Sequence, residues 1–402
     1  MKPLWIWLTL CRRLGTRGQR ALLREFGSPA TIYEADAEAF ARAGLSPALQ
    51  KALLDKDLGP ARAVLTRCEK TGVRAVTLAD EAYPPRLRQM EDAPIVLYCK
   101  GTLPGEERPV IGLVGARNAD AQGLALARRL GREIAACGGS VTTGIARGID
   151  AESAEGALEC GGAVIGVLGC GPDRVYPAEN AALFARVAAQ GCLVSEYPPG
   201  TAPNARNFPV RNRLISALAD GVVVIRAAEH SGSLITARWA AEQGRDVFAV
   251  PGAPDDPLSR GSNALLREGS LAVEPGWDVL RRYENRYPGA VRMPSQGSGV
   301  GPRASAEGET PCRGKPVGGA ALDAPPENSQ SCGDSAPPRA EIDVSALPPI
   351  QRQIVEALQG GPLQLDTLID RLGLPAGQVL TQLTLLQVKK IISQKPGKVY
   401  QL

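Results

Sequence analysis

The chain has 402 residues, of which 44% are hydrophobic, so it is long enough for two or three domains with packed cores. Its formal net charge of +4 is mildly basic, which permits nucleic-acid binding without arguing for it. Nine cysteines without a CxxC pair and a single histidine argue against a disulfide framework, a zinc site and a histidine-based catalytic triad.

Residues 1–75 are predicted to form a small helical domain, similar to SAM or helix-hairpin-helix modules. Apolar residues recur there at helical spacing and are interrupted by Phe26-Gly27 and Ala43-Gly44. Such a bundle can bind DNA or protein, and a solvated accessory bundle is an equally good interpretation. The first apolar run, residues 4–10, is short and lacks a cleavage site, so we expect a packed helix and no secretory signal.

No apolar run reaches the ~20 residues that a membrane-spanning helix needs, so no membrane span is predicted. Cysteines without a disulfide pattern are usually reduced thiols of a cytoplasmic protein. We therefore expect a cytoplasmic location.

Residues 76–283 are predicted to form an α/β domain, a Rossmann-like doubly wound parallel sheet. Short runs of small or β-branched apolar residues have the composition of buried strands, at 110–114, 140–142, 163–168, 192–194, 221–225 and 246–250. Amphipathic segments lie between them, at 123–136, 178–189 and 234–243. This alternation indicates a parallel sheet that is covered on both faces and binds its ligand beyond the carboxyl ends of the strands.

The last part of the chain changes character twice. Residues 284–345 are rich in Pro, Gly, Ser and Ala, and are predicted to be a flexible linker. Residues 346–402 predict a C-terminal winged helix, with helices at 350–358, 365–372 and 375–386 before a hairpin that turns at 395–397. Winged helices bind duplex DNA or proteins, and the wing lysines Lys395 and Lys398 slightly favour nucleic acid.

One segment, residues 208–213, reads Phe-Pro-Val-Arg-Asn-Arg and precedes an apolar helical run. Its two arginines, Arg211 and Arg213, flank Asn212. Guanidinium groups bind phosphate oxygens through paired hydrogen bonds, and a helix start adds N–H donors and partial positive charge. The segment is therefore predicted to bind phosphate.

Other predicted strand ends carry similar chemistry. Arg117 follows the first strand of this domain, Arg147 and Gly148 follow the second, and Gly169-Cys170-Gly171 follows the third. A Ser-Gly-Ser turn at 231–233 opens a helix after the fifth. Each of these alone is ordinary turn and capping chemistry. Four of them along one sheet edge favour a shared phosphate groove.

The motifs of common nucleotide-binding enzymes are missing. The chain has neither the P-loop pattern G-x-x-x-x-G-K-[ST] nor a G-x-G-x-x-G after the first strand of the domain. Asp150 and Glu196 could be imagined as a catalytic carboxylate pair, but nothing supplies a nucleophile or a metal partner. We expect no catalytic residue, no metal and no cofactor. His230 is expected to be non-catalytic, and Tyr176, Tyr197 and Phe208 are candidates for stacking on bases.

The order and spacing of these segments resemble the DNA-processing protein A family (DprA, also called Smf) across residues 80–280. The segments that carry the resemblance lie at 114–117, 143–150, 167–171, 176–177, 195–200, 208–213, 231–238, 250–252 and 261–263, with Gly269. The resemblance implies a non-enzymatic mediator that binds single-stranded DNA, protects incoming DNA during natural transformation and helps load the recombinase RecA. It also implies a homodimer, with Leu265 and Leu266 as candidate contacts.

Carried over to this sequence, the resemblance implies a set of DNA-binding residues: Arg117, Arg147, Gly148, Arg211, Asn212, Arg213, Ser231, Gly232, Ser233 and Thr236. Two positions depart from the family. Ala116 stands where serine is usual, and Ala154 stands where histidine is frequent, so two polar contacts are missing.

Two alternatives remain open. A nucleotide phosphoribohydrolase would share the layout of the sheet, but its P-G-G-x-G-T-x-x-E segment is not present at residues 251–255. The winged helix could instead be the principal DNA reader, as in a regulator.

Overall fold

The computed structural model describes residues 1–11, 14–292 and 348–372, and parts of 379–401. Most of the predicted linker, most of the third winged-helix segment and the wing turn at 396–398 lie outside the described residues. The chain divides into two compact units, Met1–Ala304 and Ser305–Leu402. Within the described ranges, no helix has the length and apolar character needed to cross a bilayer.

A nine-stranded sheet forms the centre of the first unit. Its strands are β1 (Arg74–Thr77), β2 (Val96–Gly101), β3 (Val110–Val114), β4 (Ser140–Thr143), β5 (Val164–Leu168), β6 (Cys192–Ser195), β7 (Gly221–Val224), β8 (Asp246–Ala249) and β9 (Leu271–Ala272). Their order in space is β1-β2-β6-β5-β4-β3-β7-β8-β9. The strands from β6 to β9 are parallel to one another, whereas β2 runs antiparallel to both of its neighbours. The six predicted strands are confirmed; β1, β2 and β9 were not predicted.

Helices cover both faces of the sheet, as the doubly wound prediction requires. The first unit contains α1 (Lys2–Leu10), α2 (Thr16–Phe26), α3 (Pro29–Glu34), α4 (Ala37–Arg42), α5 (Pro47–Leu54), α6 (Gly59–Thr71), α7 (Pro85–Arg88), α8 (Ala121–Ala136), α9 (Ile149–Glu159), α10 (Ala181–Gln190), α11 (Asn207–Leu218), α12 (Ser233–Glu242), α13 (Arg260–Arg267) and α14 (Gly276–Arg281). Apolar residues of α8, α9, α10 and α14 form one core with the sheet. Those of α7, α11 and α12 form a second core on the other face.

The direction of chain progression reverses beside β3. From β3 the chain proceeds through β4, β5 and β6 on one side, then crosses to β7 on the other side of β3. The loops that follow β3 and β7 therefore diverge, which leaves a crevice at the carboxyl ends of these two strands.

Glycines set the close packing of α9, the helix that begins at this crevice. A Cβ at Gly156 would collide with the carbonyl of Arg128 on α8, and a Cβ at Gly131 would collide with the carbonyl of Ser153 on α9. The two helices therefore pack backbone against backbone, since any larger residue would force them apart.

The N-terminal helices pack on the antiparallel edge of the sheet. Ile6 and Phe40 are fully buried in one core with Val96 and Tyr98 of β2, which confirms the prediction that the first apolar run is a packed helix. Strand β1 begins at Arg74 and contributes to this same core. The domain boundary at residue 75 stays a prediction.

The second unit has the elements of a winged helix. It contains α15 (Pro349–Gln359), β10 (Leu363–Gln364), α16 (Leu365–Leu372), β11 (Ser393–Lys395) and β12 (Val399–Gln401). The strands form an antiparallel sheet in the order β10-β12-β11, and Ile354, Leu358, Leu368 and Tyr400 are buried in its core. The prediction of this fold is confirmed; β10 was not predicted.

Candidate nucleic-acid interface

A cleft of about 840 Å³ lies at the crevice between the ends of β3 and β7. Its walls are the loop after β3, the start of α9, the first half of α11, the turn before α12 and the start of α13. Because the α9, α11 and α12 helices begin at this edge of the sheet, the partial positive charges of three helix N-termini meet there. The cleft is therefore suited to bind anions.

Arg117 is the most available cation of the cleft. It is exposed at the end of the β3 loop, and its guanidinium carbon lies 5.8 Å from the centre of the Phe208 ring. Throughout the described ranges, no carboxylate lies within ion-pair distance of it. This guanidinium can therefore receive a phosphate without first giving up an ion pair.

Arg211 has a different environment from the one predicted. Its side chain is buried, with 4% of the residue exposed, and its Nη1 donates to the carbonyl oxygens of Gly144, at 3.0 Å, and Val167. Burial lowers its pKa to about 10, an effect that the nearby Asp150 carboxylate opposes. The residue ties the ends of β4 and β5 together beneath the cleft and offers little of itself to a phosphate.

Arg213 points away from the cleft, so its position does not support the predicted contact with phosphate. Its Nε lies 3.1 Å from Asp92, and its Nη2 donates to Glu196 at 2.7 Å. Only 3% of the residue is exposed. A buried arginine that is held by two carboxylates cannot reach a polymer outside, since exposing it would leave both acids unpaired.

Arg147 is exposed beside the cleft, but it already has an anionic partner. Its Nε donates to Glu179, which also lies at the surface. The hydrogen bond from Arg147 holds the pKa of Glu179 below its usual range. A phosphate at Arg147 must therefore compete with this carboxylate.

Gly148 shapes the cleft through its backbone. Its φ of +72° is a left-handed value that favours glycine, and a Cβ there would lie 2.5 Å from the carbonyl oxygens of Ala116 and Arg117. The glycine thus lets the turn before α9 approach the β3 loop closely. Asp150, two residues later, is buried and accepts a hydrogen bond from the Gly144 N–H at 3.1 Å; burial raises its pKa.

The Ser231-Gly232-Ser233 turn and Asn212 form the opposite wall. The Ser231 and Ser233 hydroxyls lie 2.8 Å apart, and the Asn212 amide donates to the Gly232 carbonyl oxygen at 3.3 Å. This contact fixes the start of α12 against α11. Thr236, one turn into α12, is 1% exposed and supports the wall from below.

An aromatic pair lies next to Arg117. The rings of Tyr176 and Phe208 are stacked, with centres 5.3 Å apart and planes at 30°. Phe208 covers one side of the Tyr176 ring, and Tyr176 is still 45% exposed to solvent. The sequence suggested both residues as stacking candidates but could not show that they form one platform.

Two further arginines of this region were not predicted. Arg260 begins α13 and lines the cleft, and Arg226 lies in the loop after β7. The Arg226 guanidinium contacts Asp120 at 2.8 Å, Ser259 at 2.7 Å and Asp256. It therefore binds three loops of the cleft together, a role that requires residues far apart in the sequence and left no local signal.

Comparison with known proteins decides the family. The model of the DNA recombination-mediator protein A family matches residues 74–284, more than half of the chain. The chain belongs to the DNA recombination-mediator protein A family. The DprA winged helix domain matches residues 335–398 of this family member. Both matches confirm the resemblance to DprA and Smf that the sequence motifs indicated.

An individual family member and the X-ray structure of another agree with this assignment. The DNA processing protein DprA of Bacillus subtilis is 40% identical over 225 residues, which are 56% of this chain and 75% of that protein. The X-ray structure of DprA from Streptococcus pneumoniae has a TM-score of 0.61 and 30% identity, and the match covers 70% of this chain and 98% of that one. A structure of DNA processing protein A from Helicobacter pylori, described for its single-stranded DNA binding mode, has a TM-score of 0.48 and 28% identity, with 53% and 97% covered.

His230 and the potential metal ligands complete the description of the cleft in this family member. His230 is exposed at the rim, and no ion pair with it occurs among the described residues. Groups of three or more His, Cys, Asp or Glu side chains that could hold a metal were also not found in the described ranges. The segment at 251–255 follows β8, where Asn263 exchanges two hydrogen bonds with the Gly252 backbone, at 3.1 and 3.0 Å.

Proposed function

We propose that this member of the DNA recombination-mediator protein A family binds single-stranded DNA in the cleft between β3 and β7. One observation carries the proposal. The exposed Arg117, which has no ion pair among the described residues, lies against the stacked rings of Tyr176 and Phe208 where three helices begin. A cation beside an exposed ring can hold a phosphate and an adjacent base together.

The phosphate would be held by Arg117 and by the N-terminus of α12. Arg260 would add a second exposed cation on the far wall. Arg211 would act through the scaffold, because its hydrogen bonds to Gly144 and Val167 fix the ends of β4 and β5. Recognition of this kind is indifferent to sequence and weakens steeply with salt, because bound cations leave the phosphates when the protein binds.

The base would stack on Tyr176. Every base has an aromatic face, so an exposed ring accepts any of them, but only when the base is unpaired. This requirement favours a single strand over a duplex. It also distinguishes the cleft from a phosphate site for a mononucleotide, for which neither a P-loop nor a dinucleotide motif is present.

A role without catalysis is part of the proposal. The alternative, a nucleotide phosphoribohydrolase on the same sheet, would release a free base from nucleoside monophosphates. Turnover of that substrate by the native chain would revive it.

The wider role is inferred from family membership. We propose that this protein acts in the cytoplasm as a homodimer, protects incoming DNA during natural transformation and helps to load RecA. The seven cysteines in the described part of the chain are free thiols, which fits a reducing compartment.

Leu271 of the edge strand β9 is 37% exposed next to α13, which carries Leu265 and Leu266. An exposed apolar edge of this kind suits a contact with a second copy.

Replacing Glu179 with glutamine is expected to strengthen binding. The change removes the carboxylate that competes with phosphate for Arg147. We expect the affinity for an unstructured oligo-dT strand to rise about threefold, and the salt dependence to steepen by about 0.7 in the slope of log K against log salt. Fluorescence anisotropy over a salt series measures both quantities.

Glu159→Gln is the matched control. Glu159 also pairs with arginines, Arg128 at 3.3 Å and Arg132 at 2.6 Å, but it lies at the other end of α9 from the cleft. If both variants gained affinity equally, the gain would reflect net charge alone. If neither did, Arg147 would lie off the path of the DNA.

A further inference from the structure

The positive charge of this chain is concentrated in its N-terminal helices. Residues 1–71 contain 12 Lys and Arg against seven Asp and Glu, so this segment has a net charge of +5. The whole chain has a net charge of only +4, so the remaining residues together carry −1. Residues 72–283, which include the sheet, contain 22 Lys and Arg against 24 Asp and Glu, a net charge of −2. A sheet domain without net positive charge is unusual for a protein that binds a polyanion, so the positive charge of the helical domain is a candidate for DNA binding.

One face of α2 carries much of this charge. Arg17, Arg20 and Arg24 follow one another at spacings of three and four residues, which places them on the same side of the helix. Leu22 and Gln19, on the opposite side, are buried. The helix is therefore anchored by one face and exposes Arg17 and Arg24 on the other, with the half-buried Arg20 between them. We call Arg17, Arg20 and Arg24 the basic face of α2.

The charges on this face are only weakly neutralised. Arg24 has no ion pair among the described residues, although Glu25 is next to it in the sequence. Arg17 lies 4.0 Å from Glu91, and both side chains are 72% exposed. An ion pair so long and so exposed contributes little, so a phosphate can displace it. Arg20 donates to the carbonyl oxygen of Arg88 at 3.5 Å.

The basic face is fixed with respect to the cleft. Arg88, which receives the bond from Arg20, is the last residue of α7. The chain continues from it to Asp92, which pairs with the buried Arg213 of α11 at 3.1 Å. The neighbouring residue on α11, Asn212, lines the cleft. Helix α11 therefore has the cleft on one side and residues 88–92, which contact α2, on the other. A strand that leaves the cleft over the start of α11 would meet Arg206, which is exposed there.

We propose that the basic face of α2 is a second binding surface for the same single strand, which contacts the phosphodiester backbone of DNA beyond the cleft. The inference rests on the proposed function of the cleft and extends it. Arginines without an aromatic platform bind phosphates and not bases, so this surface adds length-dependent affinity without sequence preference. It would make the helical domain part of the DNA track.

The test compares two lengths of oligo-dT on the full chain by fluorescence anisotropy, one of about 8 nucleotides and one of about 30. An Arg17→Gln, Arg24→Gln double variant should bind the long strand about tenfold more weakly, with a salt slope smaller by about 1.4, since two phosphate contacts are lost. Its affinity for the short strand, which fits in the cleft, should match that of the native chain.

Two controls separate the possible failures. Lys51→Gln, Arg62→Gln removes two charges from exposed positions of the same domain and should leave both affinities unchanged, whereas Arg117→Gln should weaken both. If the native chain bound both strands and the α2 double variant bound the long strand equally well, the inference would be overturned, and an acidic protein would become the better partner for this face. If the native chain bound neither strand, the proposed function would fall and the inference with it.

Discussion

Replacing Arg211 with glutamine is expected to lower the free energy of unfolding by about 3 kcal/mol, measured by urea denaturation. The arginine is buried and donates to the carbonyl oxygens of Gly144 and Val167, which would lose this donor. Asp150 would also lose the nearby positive charge that opposes the rise in its pKa. The residue most suggestive of phosphate binding in the sequence thus becomes, in the structure, a support of the cleft floor.

The loss should depend on pH, and its sign follows from Asp150. Burial raises the folded-state pKa of this acid above its ordinary value, so the folded state binds the proton more tightly and stability falls as pH rises between the two pKa values. Removal of Arg211 raises the folded pKa further and extends this window upward. The difference between variant and native chain should therefore be smaller at about pH 5 than at about pH 8.

Arg238→Gln is the control for this experiment, because Arg238 is exposed on α12 and has no ion pair within the described residues. It should change the free energy of unfolding by no more than about 0.5 kcal/mol. An Arg211→Gln variant as stable as Arg238→Gln would refute the structural role of Arg211.

Replacing Tyr176 with alanine is expected to weaken the binding of single-stranded DNA about tenfold. Stacking of one base on an aromatic ring contributes roughly 1–3 kcal/mol, and the exposed ring of Tyr176 is backed by Phe208 at 5.3 Å. Because every base can stack, oligo-dT and oligo-dA should lose affinity to a similar degree. Fluorescence anisotropy at one fixed salt concentration measures the effect.

Tyr176→Phe keeps the ring and should retain most of the affinity, and Val175→Ala alters an exposed neighbour and should have no effect. Equal losses in Tyr176→Ala and Tyr176→Phe would show that the hydroxyl acts and that the ring does not. Unfolding curves of all three variants show whether any loss of binding arises from misfolding.

The fold was largely predictable because it depends on short-range patterns. Strands that are buried on both faces must be apolar along their whole length, and helices between them must be amphipathic, so β3 to β8 could be located from composition alone. The antiparallel strands β1 and β2 were missed because they lie before the repeating pattern. The edge strand β9 has only two residues and gives no periodic signal.

The sequence did not show which arginines are free to bind a ligand and which are buried in ion pairs or hydrogen bonds. Arg211 and Arg213 are two residues apart on α11, and each is buried against partners from distant segments: Val167 in one case, Asp92 and Glu196 in the other. An arginine motif is the same whether its charge faces a ligand or a buried carboxylate. Only the pairing partners, which the fold brings together, distinguish Arg117 as available from Arg213 as structural.

Photocrosslinking tests the central claim most directly. A strand that carries iodouracil, bound to the full chain and irradiated, forms adducts with aromatic and histidine side chains in contact with its bases, and mass spectrometry of the peptides locates them. The cleft account predicts adducts on Tyr176 or His230, at the rim between β3 and β7. Adducts confined to residues 348–402, with none in the cleft, would contradict it and make the winged helix the DNA reader.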